Sequence, residues 1–207
     1  MSHIWKLTSA FIAVFATAFL CSYFNRIGMQ TFYYNLTFPP LVPQGAVLSV
    51  MWIVLYALMI LSFFIMSAKA DDASYSRNSK LFLAQLVLQI LWSYTYFYMG
   101  LLGLGLIVLV LLDFNVFIML KSFKKTDRYS AYLQYPYMLW LLFATYLNAG
   151  FVYYNGSVVF YVKRLKKSKF LSGQQTKIVL HYPRFKLFYF LGRKNVCYTK
   201  KNQKYLS

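Results

Sequence analysis

Residues 131–155 read AYLQYPYMLWLLFATYLNAGFVYYN, a stretch that holds no charged residue and is long enough to span a bilayer. Within it Trp140, Phe143, Ala144, Leu147, Asn148 and Phe151 recur at helical spacing, so they form one stripe. Pro136 and Tyr137 stand near the start, where a proline costs a helix little. A helix facing only lipid has no reason to carry a Trp and an Asn on one line. This stripe is therefore expected to face protein or a ligand.

The rest of the chain has the same character. Its 207 residues are 60% hydrophobic and 21% aromatic, and only 13% are charged. A soluble domain carries charge on about a quarter of its residues. The acids are Asp71, Asp72, Asp113 and Asp127, with no Glu. Apolar runs long enough to cross a hydrocarbon core recur. The expected fold is an all-α integral membrane protein, a five-transmembrane-helix bundle with spans of about 7–24, 46–66, 81–99, 101–120 and 132–154. Lys6 and His3 make a thin charged start and no small-residue cleavage site follows, so the first span reads as a retained helix.

A net charge of +18 would point to nucleic acid in a soluble protein, but 13 of the 22 basic residues follow Asn155. That divides the chain into a membrane domain, 1–155, and a basic, aromatic extension, 156–207. Lys177–Gly192 (KIVLHYPRFKLFYFLG) suits an anionic membrane surface better than RNA, so no nucleic-acid partner is expected. A poorly ordered appendage is the other reading. Val159–Lys163 fits a loose cholesterol-contact pattern. The N-terminus and the 67–80 and 121–130 connections hold eight basic residues on one side of five spans, against Arg26 on the other, while the extension pulls the opposite way; orientation stays open. Cys21, Cys197, His3 and His181 are too few and too scattered for a disulfide framework or a metal site. No paired carboxylates, nucleophile–base set or phosphate loop is present, so an enzyme is not the first expectation.

The connection from Asn25 to Gly45 contains Pro39, Pro40 and Pro43 together with Phe32, Tyr33, Tyr34 and Phe38. A loop of that length and composition reads as a lid lying on the bundle, between helices one and two. In the second span Trp52, Leu55, Tyr56 and Met59 share a face; in the third, Gln85, Gln89, Trp92 and Tyr96 do. Two amides in a membrane interior need partners. Gly100, Gly103 and Gly105 mark a tight connection, and Asp113 is an intramembrane acid. Ala10, Ala13, Ala16 and Ala18, with Ala144 and Gly150, are small enough to build a homodimer contact; lipid-facing filler is the alternative.

The stretch from Phe32 to Asn155 resembles the TspO/MBR family, the tryptophan-rich sensory proteins related to the translocator protein, or peripheral-type benzodiazepine receptor. The family's fifth-helix pattern is met by Ala131, Leu133, Pro136-Tyr137, Trp140, Phe143-Ala144, Leu147-Asn148 and the closing Asn155. Its second helix is met by Trp52, Leu55-Tyr56 and Met59, and its third by Gln85-Leu86 and Trp92-Ser93. Departures fall in the first loop, where Phe32-Tyr33, Phe38-Pro39, Pro43-Gln44 and Ala46 replace the family's Trp-Tyr, Lys-Pro, Pro-Pro and Trp, and in the third helix, where Gln89 replaces Asn. Beyond Asn155 the resemblance has no counterpart.

The resemblance implies a pocket among five helices, covered by the first loop, that binds a tetrapyrrole such as porphyrin or haem as ligand, with no cofactor required. Its expected lining is Trp52, Tyr56, Gln89, Trp92, Trp140, Phe143, Ala144, Leu147 and Asn148. From spacing alone the tryptophans also suit core packing or interfacial anchoring, and Gln89 and Asn148 suit interhelical hydrogen bonds. Transport, scavenging or sensing of porphyrin is the implied role. A porphyrin-degrading enzyme is one alternative, and a sterol- or lipid-binding protein is another, since some relatives bind cholesterol. The missing loop tryptophans weigh against tryptophan-dependent photochemistry. A bacterial inner membrane and a mitochondrial outer membrane both fit.

Overall fold

A computed structural model describes residues 3–157, which are helical with no strand among them. Apart from Gly156 and Ser157, the extension lies outside the described residues, and so do the readings placed on Lys177–Gly192 and Val159–Lys163.

In order the elements are α1 (His3–Thr31), a 3-10 turn (Tyr33–Asn35), α2 (Gly45–Lys69), α3 (Asp72–Ser93), a π-helical turn (Tyr94–Tyr98), α4 (Leu102–Thr126), the short α5 (Arg128–Tyr132) and α6 (Tyr135–Asn155). Four segments are long and apolar enough to cross a membrane: α1, α2, α3 with its π turn, and α4. At 21 residues α6 is long enough as well, about 31 Å at 1.5 Å per residue. Its five tyrosines and two asparagines are spread along its length, and it is not among those four.

Two boundaries differ most from the sequence reading, each for a local reason. The connection expected to start at Asn25 starts at Phe32, because α1 continues to Thr31. Its polar residues Arg26 and Gln30 stay exposed, while Gly28 is pressed against the π turn: a Cβ there would sit 2.6 Å from the carbonyl oxygen of Phe97. Likewise α3 begins at Asp72 rather than near Leu81, because Asp71 caps it. The Asp71 carboxylate accepts from the backbone N–H of Ser74 at 3.1 Å, and Asp127 accepts from that of Ser130 at 2.9 Å ahead of α5. Both are Asp-x-x-Ser starts, where a short acid satisfies an otherwise unpaired N–H. Pro136 occupies the first turn of α6, as its position suggested.

α3 packs along α4, α4 along α6, and α1 along α2, α3 and the π turn. The end of the bundle with the α2–α3 and α4–α5 connections is solid. There Arg77 Nε donates to Ser122 Oγ at 2.9 Å, Asn78 Nδ2 donates to Thr126 Oγ1 at 3.0 Å, and Lys69 pairs with Asp127. Lys6 reaches the same end, donating to the Ser67 carbonyl at 3.3 Å and lying 4.2 Å from the centre of the Tyr75 ring. Leu55, Met59, Met66, Leu86, Leu112, Met119 and Leu141 fill the middle.

The outer surface is apolar. Phe11, Phe15 and Phe19 project from α1, Ile53 from α2, Val87 from α3, Ile107 and Phe114 from α4, and Leu139 from α6. A soluble protein would not leave such a belt open, whereas acyl chains cover it at no cost. The opposite face of α1 is buried through Ala10, Val14, Thr17 and Cys21. Ala10 is thus used inside the chain, Ala144 borders a cavity, and Gly150 packs against Pro39.

Candidate functional site

Toward the other end, where the 32–44 connection runs, the helices part around a cavity of about 610 Å³. All nine residues expected from the sequence border it: Trp52, Tyr56, Gln89, Trp92, Trp140, Phe143, Ala144, Leu147 and Asn148. The α6 stripe therefore faces the interior over its whole length, with Phe151 completing it.

Three indoles meet around Trp52. Its ring centre lies 6.3 Å from that of Trp92 and 6.4 Å from that of Trp140, the latter pair nearly perpendicular at 88°. Tyr56 stacks obliquely on Trp52 at 5.7 Å, and Phe143 approaches Trp140 at 5.7 Å. Offset and edge-on arrangements of this kind are the favourable ones for aromatic rings. They leave faces and edges turned toward the open space.

Polar groups at the base of the cavity hold one another. Gln89 Nε2 donates to the Tyr56 hydroxyl at 2.8 Å, and the wholly buried Tyr137 hydroxyl donates to Gln89 Oε1 at 3.3 Å. The Cys21 thiol points at the Gln89 carbonyl at 3.7 Å. Asn148, with its amide oriented by its neighbours, donates to the Leu102 carbonyl at 3.2 Å and accepts from Trp92 Nε1 at 3.2 Å. Gln89 and Asn148 thus serve as interhelical bonds and border the cavity at once. Gln85, one turn below Gln89, is fully buried and neither side-chain polar atom has a partner among the described residues.

The π turn sets the cavity's inner wall. Its wider coil lets Trp92, Tyr96 and Phe97 all point inward, and Thr95 Oγ1 bonds back to the Leu91 carbonyl at 2.9 Å. Such single-turn insertions are frequent at functional sites.

Above, Tyr33, Tyr34 and Val42 of the connection border the same space. Tyr33 packs against Phe38, Phe97 and Phe151, and its burial pushes the phenol up to about 12, so it stays neutral. Two contacts fasten the connection to α6. Asn155 accepts from the Thr37 N–H at 2.7 Å and donates to the Thr37 carbonyl at 2.9 Å. Gly150 makes room for Pro39, whose Cβ lies 2.6 Å from where a side chain at that glycine would begin.

Sequence reasoning missed the contribution of α1. Ala18, Cys21, Asn25, Arg26 and Met29 all border the cavity. Their three- to four-residue spacing was the available signal, but it ran through what looked like the end of a span. Asp113 does not border the cavity; it accepts from Thr145 Oγ1 at 2.7 Å, an α4–α6 contact.

A protein-family comparison matches residues 10–154 to the TspO/MBR family. The chain is 30% identical over 146 residues to "Tryptophan-rich protein TspO" of Archaeoglobus fulgidus, covering 70% of this chain and 94% of that one. It is 29% identical over 148 residues to the "Uncharacterized membrane protein YtaB" of Bacillus subtilis, covering 72% and 95%. A further relative, "Tryptophan-rich protein TspO" of Chlorobaculum tepidum, is 28% identical over 138 residues, covering 64% and 85%. The apolar helices, the three clustered indoles and these matches agree: the chain is an integral membrane protein of the TspO/MBR family.

Proposed function

We propose that this protein binds a tetrapyrrole, a porphyrin or haem, in the cavity between α1, α2, α3 and α6, and acts in its transport, scavenging or sensing. The observation that carries this reading is the cavity itself: about 610 Å³, with Trp52, Trp92 and Trp140 clustered on its walls. That volume lies within the roughly 300–1,000 Å³ of small-molecule pockets, and aromatic walls with a few fixed polar groups suit a flat apolar macrocycle. Family membership supports the same ligand class. In this reading α6 is the fifth span, with Tyr135, Tyr153 and Tyr154 exposed near its ends as interfacial anchors. Residues 32–44 serve as the lid, held shut by Asn155 and Gly150 of α6.

Titrating the purified protein with protoporphyrin IX while following tryptophan emission tests the proposal. Three of the four tryptophans border the cavity, so a bound porphyrin should quench most of the signal saturably, with one equivalent per chain. Saturable binding of cholesterol with none of porphyrin would move the assignment to a sterol.

A further inference from the structure

Charge around the cavity is distributed unevenly. Among the described residues that border it, Arg26 is the sole charged side chain, and no carboxylate borders it. The acids lie elsewhere: Asp71 and Asp127 in connections at the opposite end, Asp72 in the first turn of α3, and Asp113 bonded to Thr145. Arg26 is exposed and has no ion-pair partner among the described residues. It sits about one turn beyond Cys21, on the lid side of the Gln89–Tyr56–Tyr137 base. Next to it Asn25 also borders the cavity, with a buried side-chain oxygen that has no partner among the described residues. The base of the cavity is aromatic, and its amides and phenols, Gln89, Tyr56, Tyr137 and Asn148, are bonded to one another or to backbone, with the Ser93 hydroxyl left over; the end near Arg26 holds the charge.

An unpaired guanidinium beside an apolar cavity is a poor neighbour for a neutral ligand, because filling the space strips water from the charge and returns nothing. A ligand carboxylate reverses that, giving a charge-assisted hydrogen bond in partly dry surroundings. The long arginine stem lets the charged head stay near the membrane interface while its methylenes lie along the cavity wall. Resting on the tetrapyrrole reading, we infer that Arg26 selects the ligand's charge: the cavity takes an amphiphile with a free carboxylate, its apolar body against Trp52 and Trp140 and its acid group at Arg26. Free-acid porphyrins fit this description; their esters and sterols do not.

The test compares protoporphyrin IX with its dimethyl ester on the full-length protein, reading the ratio of the two affinities within each variant so that partition into detergent cancels. The native protein should favour the free acid by roughly tenfold at low salt, the size of one charge-assisted hydrogen bond. Added salt should shrink that ratio. Arg26→Gln should bring it close to one through loss of acid binding alone, and Arg26→Lys should restore part of it. A native ratio near one, an unchanged ratio in Arg26→Gln, or an equal loss of both ligands overturns the assignment of Arg26 and leaves the cavity as the porphyrin site. If neither compound binds the native protein, the tetrapyrrole reading falls first and this inference with it.

Discussion

Gln89 stands between two tyrosine hydroxyls, donating to Tyr56 at 2.8 Å and accepting from Tyr137 at 3.3 Å, and so ties α2, α3 and α6 at the base of the cavity. Its spacing in the sequence showed that it needed partners; the partners themselves were not legible, because periodicity fixes a residue's face on its own helix and not the rotation of the next. Gln89→Leu should leave both hydroxyls unpaired and cost about 2–3 kcal/mol, read as a lower unfolding midpoint in detergent. Tyr137→Phe, which leaves Gln89 one bond, should cost about 1 kcal/mol. An unchanged midpoint in both variants would mean that the triad contributes nothing. At the basic end, the bond from Lys69, helped by the Ser130 N–H, holds the Asp127 carboxyl below its ordinary value of 3.8. A group depressed on folding stabilises fully above its unfolded value, and that contribution is lost as pH falls through the folded one. Stability should therefore decline below about pH 4, and Asp127→Asn should flatten part of that slope, at a cost under about 1 kcal/mol since Lys69 is half exposed.

The connection between α1 and α2 is held by two residues of α6. Asn155 grips Thr37 through both its amide atoms, and Gly150 leaves the space that Pro39 occupies. Asn155→Ala or Gly150→Val should free the 36–44 segment, seen as faster amide exchange and faster proteolysis there, with α2 and α4 unaffected. Equal protection in both variants would show that the strap is fixed by something else. A different close approach governs α1, where Gly28→Val would drive a side chain into the Phe97 backbone and should cost at least about 2 kcal/mol. The sequence named the loop's aromatic and proline content correctly but opened it seven residues early, at Asn25. Polar residues such as Asn25, Arg26 and Gln30 read as the end of a span, although a helix carries them readily where they face a cavity or the solvent. The π turn left no trace in the pattern, since one extra residue per turn across Tyr94–Tyr98 is indistinguishable from ordinary aromatic helix.

Among the described residues, the helical bundle is solid at the end where Lys69 meets Asp127 and hollow at the other, and the change of character falls at Gln89. The stripes on α2, α3 and α6 were legible because membrane helices hide what lipid cannot solvate, so Trp52, Trp92, Trp140 and Asn148 stood out against an apolar background. That they border one cavity depends on how the helices assemble, and the cavity's α1 wall, Arg26 included, was not foreseen. The central claim is that this indole-lined space is where a porphyrin binds. Its most direct test is the protoporphyrin IX affinity of Trp52→Phe/Trp140→Phe against the native protein. Phenyl rings keep the walls apolar but lose ring area and contact at about 0.5–1.5 kcal/mol each, so affinity should fall by about tenfold while the fold persists. An unchanged affinity in the folded double variant would contradict the account.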